Sequence, residues 1–137
     1  MVVCIGNICR SPIGEVLLKE QHPHLNIFSS GLGALVGKPA DPSSVELMTE
    51  KGIDLTQHRA QQINTVLVGS ADLILVMEQS HIDRMHSQYP ESRGKVHLIG
   101  KWIDNQEVPD PYKKDKAAFS NASQLIEAGL EAWKNKL

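Results

Sequence analysis

The chain has 137 residues, 41% of them hydrophobic and 22% charged, with a formal net charge of −2. That is the balance of a globular protein long enough to bury a core, and it predicts one domain over residues 1–137. A charge so near neutral gives no general attraction to nucleic acid or anionic membrane, so any phosphate recognition has to be local, and no apolar run reaches membrane-spanning length.

Met1, Val2 and Val3 read as the end of a buried strand that looks clipped, which leads us to expect a natural start a few residues upstream. The stretch Cys4-Ile5-Gly6-Asn7-Ile8-Cys9-Arg10-Ser11-Pro12 follows as a tight loop and a helix start. Gly6 and Asn7 tolerate positive φ, Pro12 suits a first helical position, and Ser11, biased to extended geometry by the proline after it, is the expected N-cap. A loop entering a helix N-terminus aims free N–H groups at one point, a seat for an oxyanion. Cys4 stands at its floor, where the same donors favour a thiolate nucleophile, and Arg10 can fold over the anion and grip two oxygens with a planar fork. Cys4 and Cys9 are too close together for a disulfide framework and fit a reducing, cytoplasmic setting.

A helix is predicted over 12–21, with Ile13, Val16, Leu17 and Leu18 at helical spacing and Glu15 placed to suit the dipole. Leu25 to Ser29 reads as a short strand and 29–39 as a glycine-punctuated loop with aliphatic residues. Asp41-Pro42 opens a helix to about Lys51, with Val45, Leu47 and Met48 inward and Gly52 as its stop. Asp72 to Met77 is a continuous apolar run, the pattern of a strand covered on both faces. A helix from Glu78 to about Tyr89 buries Ile82 and Met85 and ends at Pro90. His81 and His86 are five apart on different helix faces, which speaks against a metal site. Lys95 to Ile99 is the fourth strand, and a helix from about Asp115 to Lys136 carries Phe119, Leu125, Ile126, Leu130 and Trp133 as its buried stripe. This alternation predicts a parallel sheet with helices on both faces and a site at the carboxyl end of the first strand. The loop holding Glu107-Val108-Pro109-Asp110-Pro111-Tyr112 then emerges at that same edge.

The nine residues from Cys4 to Pro12 resemble the signature loop of the low-molecular-weight protein tyrosine phosphatases, Cys-x5-Arg with a second cysteine before the arginine. The likeness continues through Ser29, His58 and Asp110-Pro111-Tyr112. It implies an α/β, three-layer fold with a four-stranded parallel sheet in the order 2-1-3-4. It also implies hydrolysis of protein phosphotyrosine through a phosphocysteine, with no metal or other cofactor. Cys4 becomes the nucleophile, Arg10 the phosphate clamp and Asp110 the general acid, rivalled nearby by Asp104 and Glu107. Ile5, Gly6, Asn7, Ile8, Cys9 and Ser11 surround the phosphate, and Tyr112 walls the cleft against the substrate ring.

In the family the serine matching Ser29 bonds the asparagine matching Asn7. His58 is read as structural, bonding backbone nearby, although Gln61 stands where the family usually has arginine. Leu32, Leu35 and Val36 would make the cleft wall apolar rather than aromatic. Cys9 is either a packing thiol or a partner that traps Cys4 as a disulfide under oxidation. Residues 31–37 and 107–112 are similar to those of bacterial members acting on tyrosine autokinases of capsule or exopolysaccharide export. The implied partner is therefore the cytoplasmic tail of a membrane autokinase, met by a monomer with no nucleic-acid or membrane-insertion role. The alternatives are a thioredoxin-coupled arsenate reductase, for which cysteines beyond Cys9 are missing, and a phosphotyrosine-binding module, which would need neither Asp110 nor Ser11.

Overall fold

A computed structural model describes all residues 1–137. Its elements are β1 (Val2–Cys4), α1 (Arg10–Gln21), β2 (Ser29–Gly31), α2 (Pro42–Glu50), α3 (Thr65–Ser70), β3 (Ile74–Val76), α4 (Gln79–Gln88), β4 (Val96–Leu98) and α5 (Lys116–Trp133). The four strands pair in parallel in the order β2-β1-β3-β4, with Val2 beside Ser29 and Leu75.

Period-two alternation divides the core, because successive strand side chains face opposite sides of a sheet. Val2, Cys4, Leu75 and Met77 pack with Ile13, Met48, Phe119, Ile126 and Leu130. Val3, Ile74, Val76, Val96 and Leu98 pack on the other face with Val68 and Met85. Both faces are thus covered, as the apolar run through Asp72–Met77 requires. Helices then alternate with strands so that every strand-to-helix loop opens at the carboxyl edge.

The structure moves two elements from where local patterns put them and adds a third. β2 lies at Ser29–Gly31 rather than 25–29: the segment that pairs with β1 is the one small enough to run beside the Cys4 loop, and a Cβ on Gly31 would stand 2.3 Å from the Ile5 carbonyl oxygen. α1 begins at Arg10, so Ser11 is inside the helix and is not its cap; Cys9 holds that position without a side-chain cap bond. Pro12 is tolerated in the first turn because it needs no helical N–H there. α3 was not foreseen from the sequence. It is started by the Asn64 side chain accepting from the Leu67 N–H, and the Lys95 ammonium donates to the Val68 and Ala71 carbonyls at its end.

Candidate active site

The loop between β1 and α1 is organised by its carbonyl groups. The Cys4 carbonyl accepts from Leu32 N–H, Ile5 from Gly33, Gly6 from Leu35, and Ile8 from Asp41. The Asn7 carbonyl accepts from the His58 ring at 2.6 Å, which puts a proton on Nε2, and the Cys9 carbonyl accepts from Ser44 Oγ at 3.2 Å. In a trans peptide the C=O of one residue and the N–H of the next point in opposite directions. Six carbonyls fastened to the surrounding scaffold therefore turn the N–H groups of Ile5 through Arg10 the other way, and none of these six donates within the protein. Together with the start of α1 they form a ring of free donors with Cys4 at its floor, the electrostatics an oxyanion requires.

A buried polar chain sets the direction of the hydrogen bond at sulfur. Asn7, held at φ 59, spends its two amide hydrogens on Ser11 Oγ at 2.7 Å and Ser29 Oγ at 3.0 Å, while its oxygen accepts from the Gln61 N–H at 2.9 Å. Ser29 passes its own proton to Glu15 at 2.5 Å, and Lys19 pairs with the same carboxylate. Ser11 Oγ, having accepted from Asn7, is free to donate to Cys4 Sγ at 2.9 Å. A hydroxyl donor at that distance aims its hydrogen at the sulfur. Cys9 has a different environment. Burial, reinforced by the negative charges of Asp41, Cys4 and Asp110, pushes its thiol strongly up, so it stays protonated. Both cysteines are free thiols.

Arg10 is 2% exposed, and both hydrogens of its NH1 are committed: one to Glu78 Oε2 at 2.7 Å, one to the Val108 carbonyl at 2.9 Å. The Nε and NH2 edge remains for a ligand. NH2 lies 3.8 Å from Asp110 Oδ2. The segment carrying Asp110 is tied down at its base, where Val108 N–H donates to the Met77 carbonyl and Glu107 accepts from the Gln79 N–H at the start of α4. Glu107 is thereby a helix-capping carboxylate.

A cavity of about 160 Å³ joins these parts, lined by Cys4, Ile5, Gly6, Ile8, Cys9, Arg10, Gly33, Leu35, Asp110 and Tyr112. An apolar cavity of roughly that size admits one benzene ring. Leu35 and Tyr112 stand in its wall. Leu32 does not, contrary to expectation: it is 5% exposed and packs against the second core face, because its N–H pairs with the Cys4 carbonyl and its neighbour Gly33 takes the place at the mouth. Val36 is also outside the cavity and exposed. Ser29, His58 and Asn7 lie behind the loop, holding its backbone.

Reading the sequence missed Glu78, Ser44 and the Gln61 main chain. Glu78 did carry a signal, a carboxylate at the carboxyl end of a doubly covered parallel strand, where such sheets place ligand-directed groups. Ser44 carried none, since its bond to the Cys9 carbonyl exists only through the packing of α2.

The whole chain, residues 1–137, matches the family model described as low molecular weight phosphotyrosine protein phosphatase. The low molecular weight protein-tyrosine-phosphatase Wzb of Escherichia coli K12 is 47% identical over 137 residues, covering 100% of this chain and 93% of Wzb. The probable low molecular weight protein-tyrosine-phosphatase EpsP of Ralstonia nicotianae is 46% identical over 133 residues, 97% of this chain and 91% of EpsP. Among solved structures, Vibrio vulnificus Wzb in complex with benzylphosphonate superimposes with a TM-score of 0.96 at 44% identity, over 99% of this chain and 96% of that one.

Proposed function

The chain belongs to the low molecular weight phosphotyrosine protein phosphatase family, whose members are cysteine-dependent phosphatases, and from that premise we propose that it hydrolyses protein phosphotyrosine through a phosphocysteine on Cys4. The observation that carries this reading is the ring of six unengaged N–H groups over the Cys4 sulfur, with the free edge of Arg10 and the carboxyl of Asp110 at its rim.

In the first step Cys4 Sγ attacks phosphorus and the bond to the tyrosine oxygen breaks. The three phosphoryl oxygens, on which charge accumulates, rest on the ring amides and the Arg10 edge, and the Asp110 carboxylic acid delivers its proton to the departing phenol oxygen. Water then attacks phosphorus and gives its proton to the Asp110 carboxylate. The sulfur leaves as a thiolate, eased by the Ser11 hydroxyl 2.9 Å away. Tyr112, with Leu35 across the mouth, offers a flat apolar wall to the phenyl ring. The steps call for no metal.

The proposed substrate is the phosphorylated cytoplasmic tail of a membrane tyrosine autokinase that controls polysaccharide export, met by a single-domain monomer in the cytoplasm. The likeness of residues 31–37 and 107–112 to bacterial members of that kind supports it, as does the similarity to Wzb and EpsP over nearly the full length of each. Arsenate reduction coupled to thioredoxin needs cysteines to relay oxidation, and the chain has only Cys4 and Cys9.

The test offers wild-type protein a tyrosine-phosphorylated autokinase tail, a phosphoserine protein, and arsenate with thioredoxin. Only the first should turn over. The Asp110→Asn variant, quenched during reaction with an aryl phosphate, should show the mass of one phosphoryl group on the peptide bearing Cys4. Turnover without that adduct, or with the adduct elsewhere, contradicts the mechanism.

A further inference from the structure

His81 takes no part in the chemistry just described, yet it is 1% exposed on α4 directly behind Arg10. Its Nδ1 accepts from the Met77 N–H at 3.3 Å, which assigns the ring proton to Nε2. Nε2 lies 3.3 Å from Glu78 Oε2, the same oxygen that accepts from Arg10 NH1 at 2.7 Å. Resting on the phosphatase reading above, we propose that His81 is a positioning residue: its Nε2–H fixes the Glu78 carboxylate, and Glu78 in turn holds the Arg10 guanidinium with its Nε/NH2 edge toward the phosphoryl group.

Three features support this. The Glu78 side chain is 32% exposed and could turn to water, whereas Arg10 at 2% could not follow it. A fastener on the carboxylate is therefore what keeps the pair in register. Second, the remaining hydrogen of Arg10 NH1 goes to the Val108 carbonyl. A guanidinium gripped at one nitrogen by two acceptors has its plane set, and with it the direction of its free fork. Third, the fastener has to be a neutral donor, since a cation there would compete with Arg10 for the carboxylate. Burial first, and then the positive charge of Arg10, push His81 down to about 4 against the opposing pull of Glu78; Arg84 and Asp110 are the other charged groups around it. At neutral pH the ring is a single donor and a single acceptor, both engaged.

The experiment compares His81→Gln, which keeps an N–H donor within reach of Glu78, with His81→Leu, which keeps bulk and loses the donor. Inorganic phosphate affinity is measured by calorimetry, and kcat and KM on an aryl phosphate in parallel. His81→Leu should weaken phosphate binding and lower kcat/KM about tenfold, the scale of one misaligned charge-assisted contact. His81→Gln should stay within about threefold of wild type. In a Glu78→Gln background the leucine substitution should add nothing. Should the leucine variant fail to fold, His81→Asn, which retains an acceptor for Met77 but falls short of Glu78, takes its place. Equal losses in the glutamine and leucine variants, wild-type affinity and kcat/KM in the leucine variant, or additive effects with Glu78→Gln overturn the proposal. Phosphate affinity does not depend on turnover, so an inactive wild-type protein would sink the phosphatase reading and leave this comparison intact.

Discussion

The two halves of the site are built to different standards of order. In the loop from Cys4 to Cys9 every carbonyl has an outside partner, Asn7 and Ser11 are wholly buried, and a chain of hydrogen bonds runs from Glu15 to the Cys4 sulfur. The loop bearing Asp110 is tied to the scaffold at its base, by Glu107 and Val108, and beyond that point the Asp110 side chain is 50% exposed and Tyr112 is 42% exposed. The chemistry accounts for the contrast. Charge on the phosphoryl oxygens must be met by dipoles already in place, because reorganising them during the reaction would cost the stabilisation they supply. A proton donor that becomes a proton acceptor in the next step has to serve two geometries and admit water between them.

Substitutions should separate the halves. Cys4→Ser removes the proposed nucleophile and leaves the ring of amides, so turnover of every substrate should fall to background while calorimetry still finds phosphate bound; surviving turnover would take Cys4 out of the mechanism. Asp110→Asn should lower kcat/KM on phenyl phosphate by about 10²-fold or more, the usual scale of general acid catalysis, and leave kcat/KM on p-nitrophenyl phosphate far less affected, because kcat/KM reports the transfer to Cys4 and that leaving group needs no proton. Equal loss of kcat/KM on both would move the acid to another residue.

Gly31→Ala attacks the scaffold behind the ring. Its new Cβ, 2.3 Å from the Ile5 carbonyl oxygen and 3.1 Å from Asn7 Cβ, must displace backbone. Thermal melts should show a loss of about 1–3 kcal/mol, with phosphate affinity falling alongside. A further effect is in acid. His81 titrates near 6.5 when exposed and about 4 in the folded protein, so the unfolded chain binds its proton first. Its contribution to stability is complete above about pH 6.5 and is lost as pH falls toward 4. Urea unfolding of wild type and His81→Gln across that window should show the steeper decline in wild type.

The parallel sheet and the edge carrying the site were legible because the strand-helix alternation and the apolar run 72–77 are long and contiguous, whereas the strand order came only with the family resemblance. The motif from Cys4 to Pro12 was legible as a phosphate seat for the same reason: its donors are neighbours in sequence. What failed was local preference where tertiary demand prevailed. Ser11 has the residue type and the following proline of a cap, but its hydroxyl is drawn inside the helix by Asn7 and Cys4. Leu25-Asn26-Ile27-Phe28 has more strand character than Ser29-Ser30-Gly31, yet only the smaller residues fit beside the loop. Leu32 and Leu35 are indistinguishable by type, and the pairing of Leu32 N–H with the Cys4 carbonyl sends one to the core and leaves the other at the mouth. Ser44 and Glu78 act across 35 and 68 positions of sequence from the residues they serve, and nothing local names such distant partners.

The proposed chemistry depends on the six amides from Ile5 to Arg10 acting together as the seat of the phosphoryl group. Backbone nitrogen NMR spectra of the Cys4→Ser protein, titrated with inorganic phosphate, test this most directly. The amide resonances of Ile5, Gly6, Asn7, Ile8, Cys9 and Arg10 should move downfield in concert at one affinity, with those of Leu32, Gly33, Leu35 and Asp41, already bonded to the loop's carbonyls, nearly still. Saturable binding that leaves the six in place, or that moves the outer donors instead, would contradict it.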